Sequence, residues 1–228
     1  MKRDKENFEH LINNLVRASY KESIFNYESG RRAFLSLGKG NVHRWLGTLL
    51  PNTRLILEPK IIGSSIALQY LNGKINKAIN EDSRDITDIV YSLSSVPKSI
   101  PIKKRIEIRG VLYKNGTISD KKTLKTLIEI KKISPELKEY NFCAFQIFHC
   151  KINQFQALQQ LKKLNFEIPE TYFTNFISDF EIYHKCWKEG KLFQNYPTNG
   201  IVLKINSTKL QKYLGENNLS INWAYSIN

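Results

Sequence analysis

Residues 58–79 read EPKIIGSSIALQYLNGKINKAI and place a lysine and a tight turn among short apolar runs. Leu55–Leu57 just before it and Ser65–Leu71 within it have the apolar pattern of buried strands. Asn72-Gly73 predicts a hairpin turn, because these residue types accept the positive φ angles that a tight turn requires. We therefore predict a strand that ends near Lys60, followed by a β-hairpin.

The remainder of the chain intersperses predicted strands with predicted helices. This order favours an α+β fold of largely antiparallel sheets with flanking helices over a doubly wound parallel fold. Strands are predicted at residues 105–113, 141–148, 200–205 and 223–227, and helices are predicted to begin near residues 4, 120, 155, 178 and 207.

The chain is strongly basic, with 35 Lys and Arg against 21 Asp and Glu and a net charge of +14. Such a charge attracts phosphate backbones. A lysine-rich surface from a compositionally biased genome explains it equally well, so charge alone identifies no function. No apolar run approaches the length of a membrane span, and we expect a cytoplasmic protein without a membrane partner.

The three cysteines predict neither a disulfide framework nor a zinc site. Cys143, Cys150 and Cys186 are odd in number and contain no CxxC spacing. We interpret them as small buried thiols and predict no metal site among them.

Three charged segments are placed on predicted strands. Each is a weak signal alone, because a lysine after a strand is usually a solvated loop residue. Their order and spacing together are more specific. The segments are Glu58-Pro59-Lys60, Glu107-Ile108-Arg109-Gly110 and Asn199–Lys204.

These segments resemble, in order, the E-x-K-x-D-G, E-V-R-G and G-V-V-x-K-V-N motifs in the adenylation domain of the NAD-dependent DNA ligases. The resemblance implies a nucleotidyltransferase (ATP-grasp-like) adenylation fold over residues 35–228, preceded by a short helical segment at residues 1–34. Four shorter matches lie at Leu35–Gly38, Asp85-Ile86-Thr87, Leu214-Gly215 and Trp223-Ala224.

The resemblance implies a role for each matching residue. Lys60 matches the lysine whose neutral amine attacks the α-phosphate of NAD and forms lysyl-AMP. Arg109 and Lys204 are candidates for the neighbouring cation that lowers its pKa. The residues implied to bind the cofactor are Glu58 at the adenine amine, Ser36 and Leu37 at the adenine pocket, Lys204 at the α-phosphate, and Arg109.

Four positions depart from the family pattern. Ile62, Val111 and Asn199 stand where the family has carboxylates, and Asn228 stands where its last motif has a lysine. Because hard divalent cations require oxygen anions, we expect a magnesium site here to be weakened.

Two functions follow from the resemblance. The first is an NAD-dependent DNA ligase adenylation-domain protein that forms lysyl-AMP at Lys60 for nick joining in DNA repair and replication, with impaired activity. DNA is then the expected partner, with a protein partner supplying the ligase domains that we expect this shortened copy to lack. The second is a catalytically inactive module, derived from a DNA ligase, that binds a nucleotide or a nucleic acid.

Overall fold

The computed structural model describes two β-sheets with short flanking helices. The first sheet has five strands in the order β1-β9-β8-β2-β7, and only its β1–β9 pair is parallel. Its strands are β1 Ser36–Gly38, β2 Leu55–Ile61, β7 Tyr172–Thr174, β8 Thr198–Ile205 and β9 Ser220–Ile227. The described residues are 36–114, 135–148, 150–174, 177–216 and 220–228, with the backbone alone at 177 and 178.

The second sheet has four antiparallel strands in the order β4-β3-β5-β6. Ile62 and Gly63 link β2 of the first sheet to β3 of the second, so the predicted lysine strand leads directly into the second sheet. The strands are β3 Ser64–Leu71, β4 Lys74–Asn80, β5 Ile106–Tyr113 and β6 Asn141–Ile147.

The predicted hairpin joins β3 to β4. Asn72 and Gly73 have φ angles of 51° and 78°, the positive values that a two-residue hairpin turn needs. Both β3 and β4 then run antiparallel from this turn, with Leu71 paired to Lys74.

Each sheet has its own hydrophobic core. Helices α2 and α3 cover the second sheet, where Tyr70 and Phe142 are fully buried. Phe180 of α4 and Leu46 of α1 pack on the first sheet. The helices are α1 Val42–Gly47, α2 Thr87–Ser92, α3 Gln154–Lys163, α4 Ile177–Lys188 and α5 Thr208–Leu214, with a 3-10 turn at Pro135–Glu139.

The predicted strands and the helices near residues 155, 178 and 207 are confirmed. The sequence missed β1, α1, α2 and β7, whose three to six residues are too short to display a period. The helices predicted near residues 4 and 120 lie outside the described residues. Within the described part of the chain, no helix is long and apolar enough to cross a membrane.

Candidate active site

Lys60 is the penultimate residue of β2, where that strand has a neighbour on one side only. Strand β7 pairs with β2 at Leu55–Leu57, whereas β8 continues alongside it to Ile61. Pro59 therefore fits in β2, because a proline cannot donate to a second neighbouring strand. Lys60 consequently reaches the open end of the first sheet, next to the link to the second.

The amine of Lys60 lies in a partly buried, cationic setting. Its Nζ donates a hydrogen bond to the Asn228 side-chain oxygen at 2.7 Å. Burial, and then the charge of Lys39, lower the pKa of Lys60 below the usual lysine value. A larger share of this lysine is therefore neutral at a given pH than of a fully solvated lysine.

After burial, the charge of Lys39 is the cause that lowers the pKa of Lys60. The predicted effect of Arg109 and Lys204 on this pKa stays a prediction. Each of these two cations forms an ion pair with a glutamate, Glu107 and Glu58 respectively. Lys39 directly follows β1, and no local sequence pattern predicts that it lies near Lys60.

Glu58 and Lys204 form a buried ion pair across β2 and β8. Lys204 Nζ lies 2.6 Å from Glu58 Oε2, and the two side chains are 8% and 3% exposed. The same ammonium lies 4.7 Å from the centre of the Phe145 ring. Glu58 Oε1 is buried and is without a hydrogen-bond partner among the described residues. This oxygen can accept one hydrogen bond from a ligand that enters beside it.

An apolar wall adjoins the ion pair where the two sheets meet. Val111, Tyr113 and Cys143 of the second sheet pack with Ile61 of the first. Burial, and then the charges of Glu167 and Glu58, raise the pKa of the Cys143 thiol. Cys143 is therefore neutral at physiological pH and forms part of the wall rather than acting as a nucleophile. We define the inter-sheet cleft as the space bordered by this wall, the Glu58–Lys204 pair and Lys60.

Arg109 belongs to the second sheet and is held by two contacts. Its Nε lies 2.7 Å from Glu107 Oε1, and its guanidinium carbon lies 3.8 Å from the centre of the Phe148 ring. It lies on the same strand as Val111, two residues before it, and therefore shares a face with it.

Ser36 and Leu37 lie on β1, at the edge of the first sheet. Strands β9 and β8 separate β1 from Glu58 on β2. Their predicted place in an adenine pocket stays a prediction.

The donor set around Lys60 does not fit a divalent cation. Ile62 and Val111 supply no oxygen from their side chains, and the carboxylates of Glu58 and Glu107 are already paired with cations. Among the residues that the structure describes, no three His, Cys, Asp or Glu side chains group into a possible metal site. Hard divalent cations require several oxygen ligands, which this end of the cleft lacks.

Asn228 is the site residue whose function the sequence did not anticipate. We identified it only as a departure from the family pattern, yet its amide is the hydrogen-bond partner of Lys60. The two residues are 168 positions apart, so no local spacing could have brought them together.

No family model matches the chain. The chain is similar to curated bacterial DNA ligases. It is 26% identical over 211 residues to a DNA ligase of Prochlorococcus marinus (strain NATL2A), which covers 76% of this chain and 31% of that protein. It is 27% identical over 198 residues to a DNA ligase of Thermotoga neapolitana, covering 74% and 28%. The chain thus spans about a third of the length of the curated relatives it matches.

Solved structures confirm the fold class. A Lig E DNA ligase superposes with a TM-score of 0.51 at 12% identity, covering 85% of this chain and 68% of that one. An archaeal ATP-dependent RNA ligase superposes with a TM-score of 0.50 at 12% identity, covering 77% and 46%. The described residues therefore have the adenylation-type fold of the nucleotidyltransferases.

Proposed function

We propose that this chain is a DNA ligase-type nucleotidyltransferase domain that accepts AMP from NAD on Lys60. One observation carries the proposal. Lys60, whose pKa is lowered, lies on the same strand face as Glu58. The buried Oε1 of Glu58 has no hydrogen-bond donor among the described residues. The proposed nucleophile and the proposed base-recognition group thus lie two residues apart on one strand.

Lys60 performs the transfer in its neutral form. Its Nζ lone pair attacks the α-phosphorus of NAD, a nitrogen–phosphorus bond forms, and the bond from that phosphorus to nicotinamide mononucleotide breaks. The amine proton passes to water. Burial and the charge of Lys39 favour the neutral amine that this step needs.

Glu58 and Lys204 would both bind the nucleotide. The Oε1 atom of Glu58 accepts a hydrogen bond from the exocyclic amine of adenine. An ammonium has three donor hydrogens, so Lys204 can keep its bond to Glu58 and still donate to the α-phosphate. The partly exposed Ile61, which packs with Val111 and Cys143, offers the base an apolar surface.

Arg109, Ser36 and Leu37 are proposed as further nucleotide contacts on the strength of the motif resemblance. The order of the motifs also supports NAD rather than ATP as the AMP donor.

DNA is the proposed acceptor of the AMP. Support comes from the similarity to proteins named DNA ligase and from the net charge of +14. We also propose that the domain acts together with other ligase domains, because the relatives are about three times as long as the region that they share with it. Ile62, Val111 and Asn199 remove three carboxylates of the family pattern, so we propose a slow transfer.

Intact-mass spectrometry tests the proposal. The purified protein is incubated with NAD or with ATP, each with and without magnesium. The expected result is a gain of one adenylyl group from NAD, absent from the Lys60→Arg variant. A gain from ATP alone would reject NAD as the donor, and a folded protein that gains no mass with either would reject the transfer.

A second candidate is a non-catalytic module that binds an adenine nucleotide in the same cleft. The observation in its favour is that the Lys60 amine already donates a hydrogen bond to the Asn228 side chain. Saturable nucleotide binding that is lost in Glu58→Gln, without any adduct on Lys60, would support this candidate over the first.

A further inference from the structure

We propose that Asn228 is a positioning residue for Lys60, whose side-chain oxygen fixes the direction of the amine and sets the pH at which it becomes reactive. The proposal builds on the proposed function, since it concerns the same amine. The family motif has a lysine at this position, whereas this chain has an amide.

The two side chains meet across an intervening strand. Strand β8 lies between β2 and β9, and Ile201 of β8 pairs with Pro59 on one side and with Ile227 on the other. Lys60 and Asn228 directly follow Pro59 and Ile227 in the chain, at the point where the register between β2 and β8 shifts. Asn228 reaches over β8 to accept the Lys60 hydrogen at 2.7 Å.

Gly200 leaves the gap through which this contact is made. A Cβ at this position would lie 3.1 Å from Asn228 Oδ1 and 2.0 Å from the Ile227 backbone oxygen. Its φ angle of +148° also lies in a region that side chains rarely adopt. A residue other than glycine would displace the end of β9 and, with it, Asn228.

The backbone of Asn228 lies beside His184 of α4. The His184 ring stacks on Trp187 at 6.0 Å between ring centroids. Burial and the charge of Lys188 lower the pKa of His184, so this side chain is neutral at physiological pH. The side-chain amide of Asn228 is thus presented to Lys60 from a backbone that lies beside α4.

An amide oxygen affects the amine differently from the charges nearby. The charge of Lys39 disfavours the ammonium form of Lys60. The Glu58 carboxylate, two residues earlier on the same strand, forms an ion pair with Lys204. Asn228 stabilises the donor hydrogens without contributing charge. Asn228 thus partly offsets the lowering of the Lys60 pKa by Lys39. It also directs one N–H toward itself, so the lone pair of the neutral amine faces another direction.

Competitive labelling of nucleotide-free protein tests this role. Acetic anhydride acetylates neutral amines, and peptide mass spectrometry gives the pH dependence of labelling at Lys60 and, as an internal reference, at exposed Lys74. We expect Asn228→Ala to speed Lys60 labelling near neutral pH by roughly threefold, because one hydrogen bond to the ammonium is lost. We expect Asn228→Asp to slow it by roughly tenfold, because a carboxylate favours the ammonium.

The opposite signs of the two effects separate positioning from general loosening of the structure. A change that merely opened the site would accelerate labelling in both variants. Acceleration in both, or no change in either relative to Lys74, would overturn the proposal. Because no nucleotide is present, these outcomes are independent of whether wild-type protein forms lysyl-AMP, and failure to form it would count only against the proposed function.

Discussion

The ion pair of Glu58 and Lys204 places two opposite charges where almost no water reaches them. Removing both charges from water costs free energy, which their mutual attraction at 2.6 Å and the ring of Phe145 offset. A buried pair of this kind is sensitive to the loss of one partner, because the other charge is then left without compensation. The pair therefore affects the stability of the domain as well as the binding of the proposed ligand.

Glu58→Gln should lower the free energy of unfolding by about 3 kcal/mol, because Lys204 stays buried beside a neutral amide. Urea denaturation measures this loss. The double variant Glu58→Gln with Lys204→Met should recover most of it. As a matched control, Glu189→Gln removes a carboxylate from a water-exposed ion pair with Lys191 and should leave stability unchanged. Equal stability of Glu58→Gln and wild type would contradict this interpretation of the pair.

Gly200→Ala should destabilise the domain by about 2 kcal/mol, since the new Cβ meets the Ile227 oxygen and the positive φ angle is strained. The control is Gly47→Ala, because a Cβ at the end of α1 meets no atom within 4 Å. Thermal unfolding of both variants measures the difference. A Gly200→Ala variant as stable as Gly47→Ala would mean that β9 does not approach β8 as described.

Individual site residues could be predicted from sequence, but their contacts could not. Lys60, Glu58 and Lys204 were identified from motif order, and the structure places all three on the adjacent strands β2 and β8. The pairing of Glu58 with Lys204 spans 146 residues. Such contacts depend on strand order, which local periodicity does not contain.

At the scale of elements, the segment Asp85-Ile86-Thr87 attaches α2 to β4. Thr87 Oγ1 accepts a hydrogen bond from the Ala78 backbone at 2.9 Å and donates one to Asp85 Oδ1 at 2.6 Å. Ile86 N–H donates to the Ala78 carbonyl. This match to the family pattern therefore has a structural explanation: it fixes the start of a short helix against the second sheet.

Thr87→Val should cost about 1–2 kcal/mol, because the buried Ala78 N–H loses its acceptor. Thr48→Val is the matched control, since the Thr48 hydroxyl donates only to the exposed end of its own helix. Denaturant unfolding should report a loss for Thr87→Val and almost none for Thr48→Val. Equal losses would show that the Thr87 hydroxyl has no special role.

Short elements were the ones that sequence reasoning missed. Strand β7 has three residues and α2 has six, so neither displays a full hydrophobic period. The longer β5 was predicted, but with one apolar and one charged face. Both faces are covered in the structure, and its charged Glu107 is 6% exposed because Arg109 pairs with it.

At the scale of the whole molecule, the fold class could be predicted because strand and helix patterns alternate along the chain. The division into two sheets could not, since β2 and β3 are adjacent in sequence yet belong to different sheets. That division creates the cleft beside Lys60. The net charge of +14 is a property of the whole molecule and would attract a large polyanion such as DNA.

Binding to duplex DNA should be steeply salt-dependent if the positive charge contacts phosphates. We expect affinity to fall at least about tenfold between about 50 and 200 mM salt, because contacts with phosphates release counterions. Fluorescence anisotropy with a nicked and an intact duplex measures this dependence. Affinity that does not change with salt, or absence of binding at low salt, would contradict DNA as the partner.

The most direct test of the account is the pH dependence of adduct formation on Lys60. Protein is incubated with NAD across a pH series, and tandem mass spectrometry maps any adenylyl group to its residue. Because burial and Lys39 lower the pKa of Lys60, the adduct should form on Lys60 alone and increase with pH, reaching half of its maximum below the ordinary lysine pKa. Adduct on another residue, or a yield on Lys60 that does not rise with pH, would contradict the central claim that its neutral amine is the nucleophile.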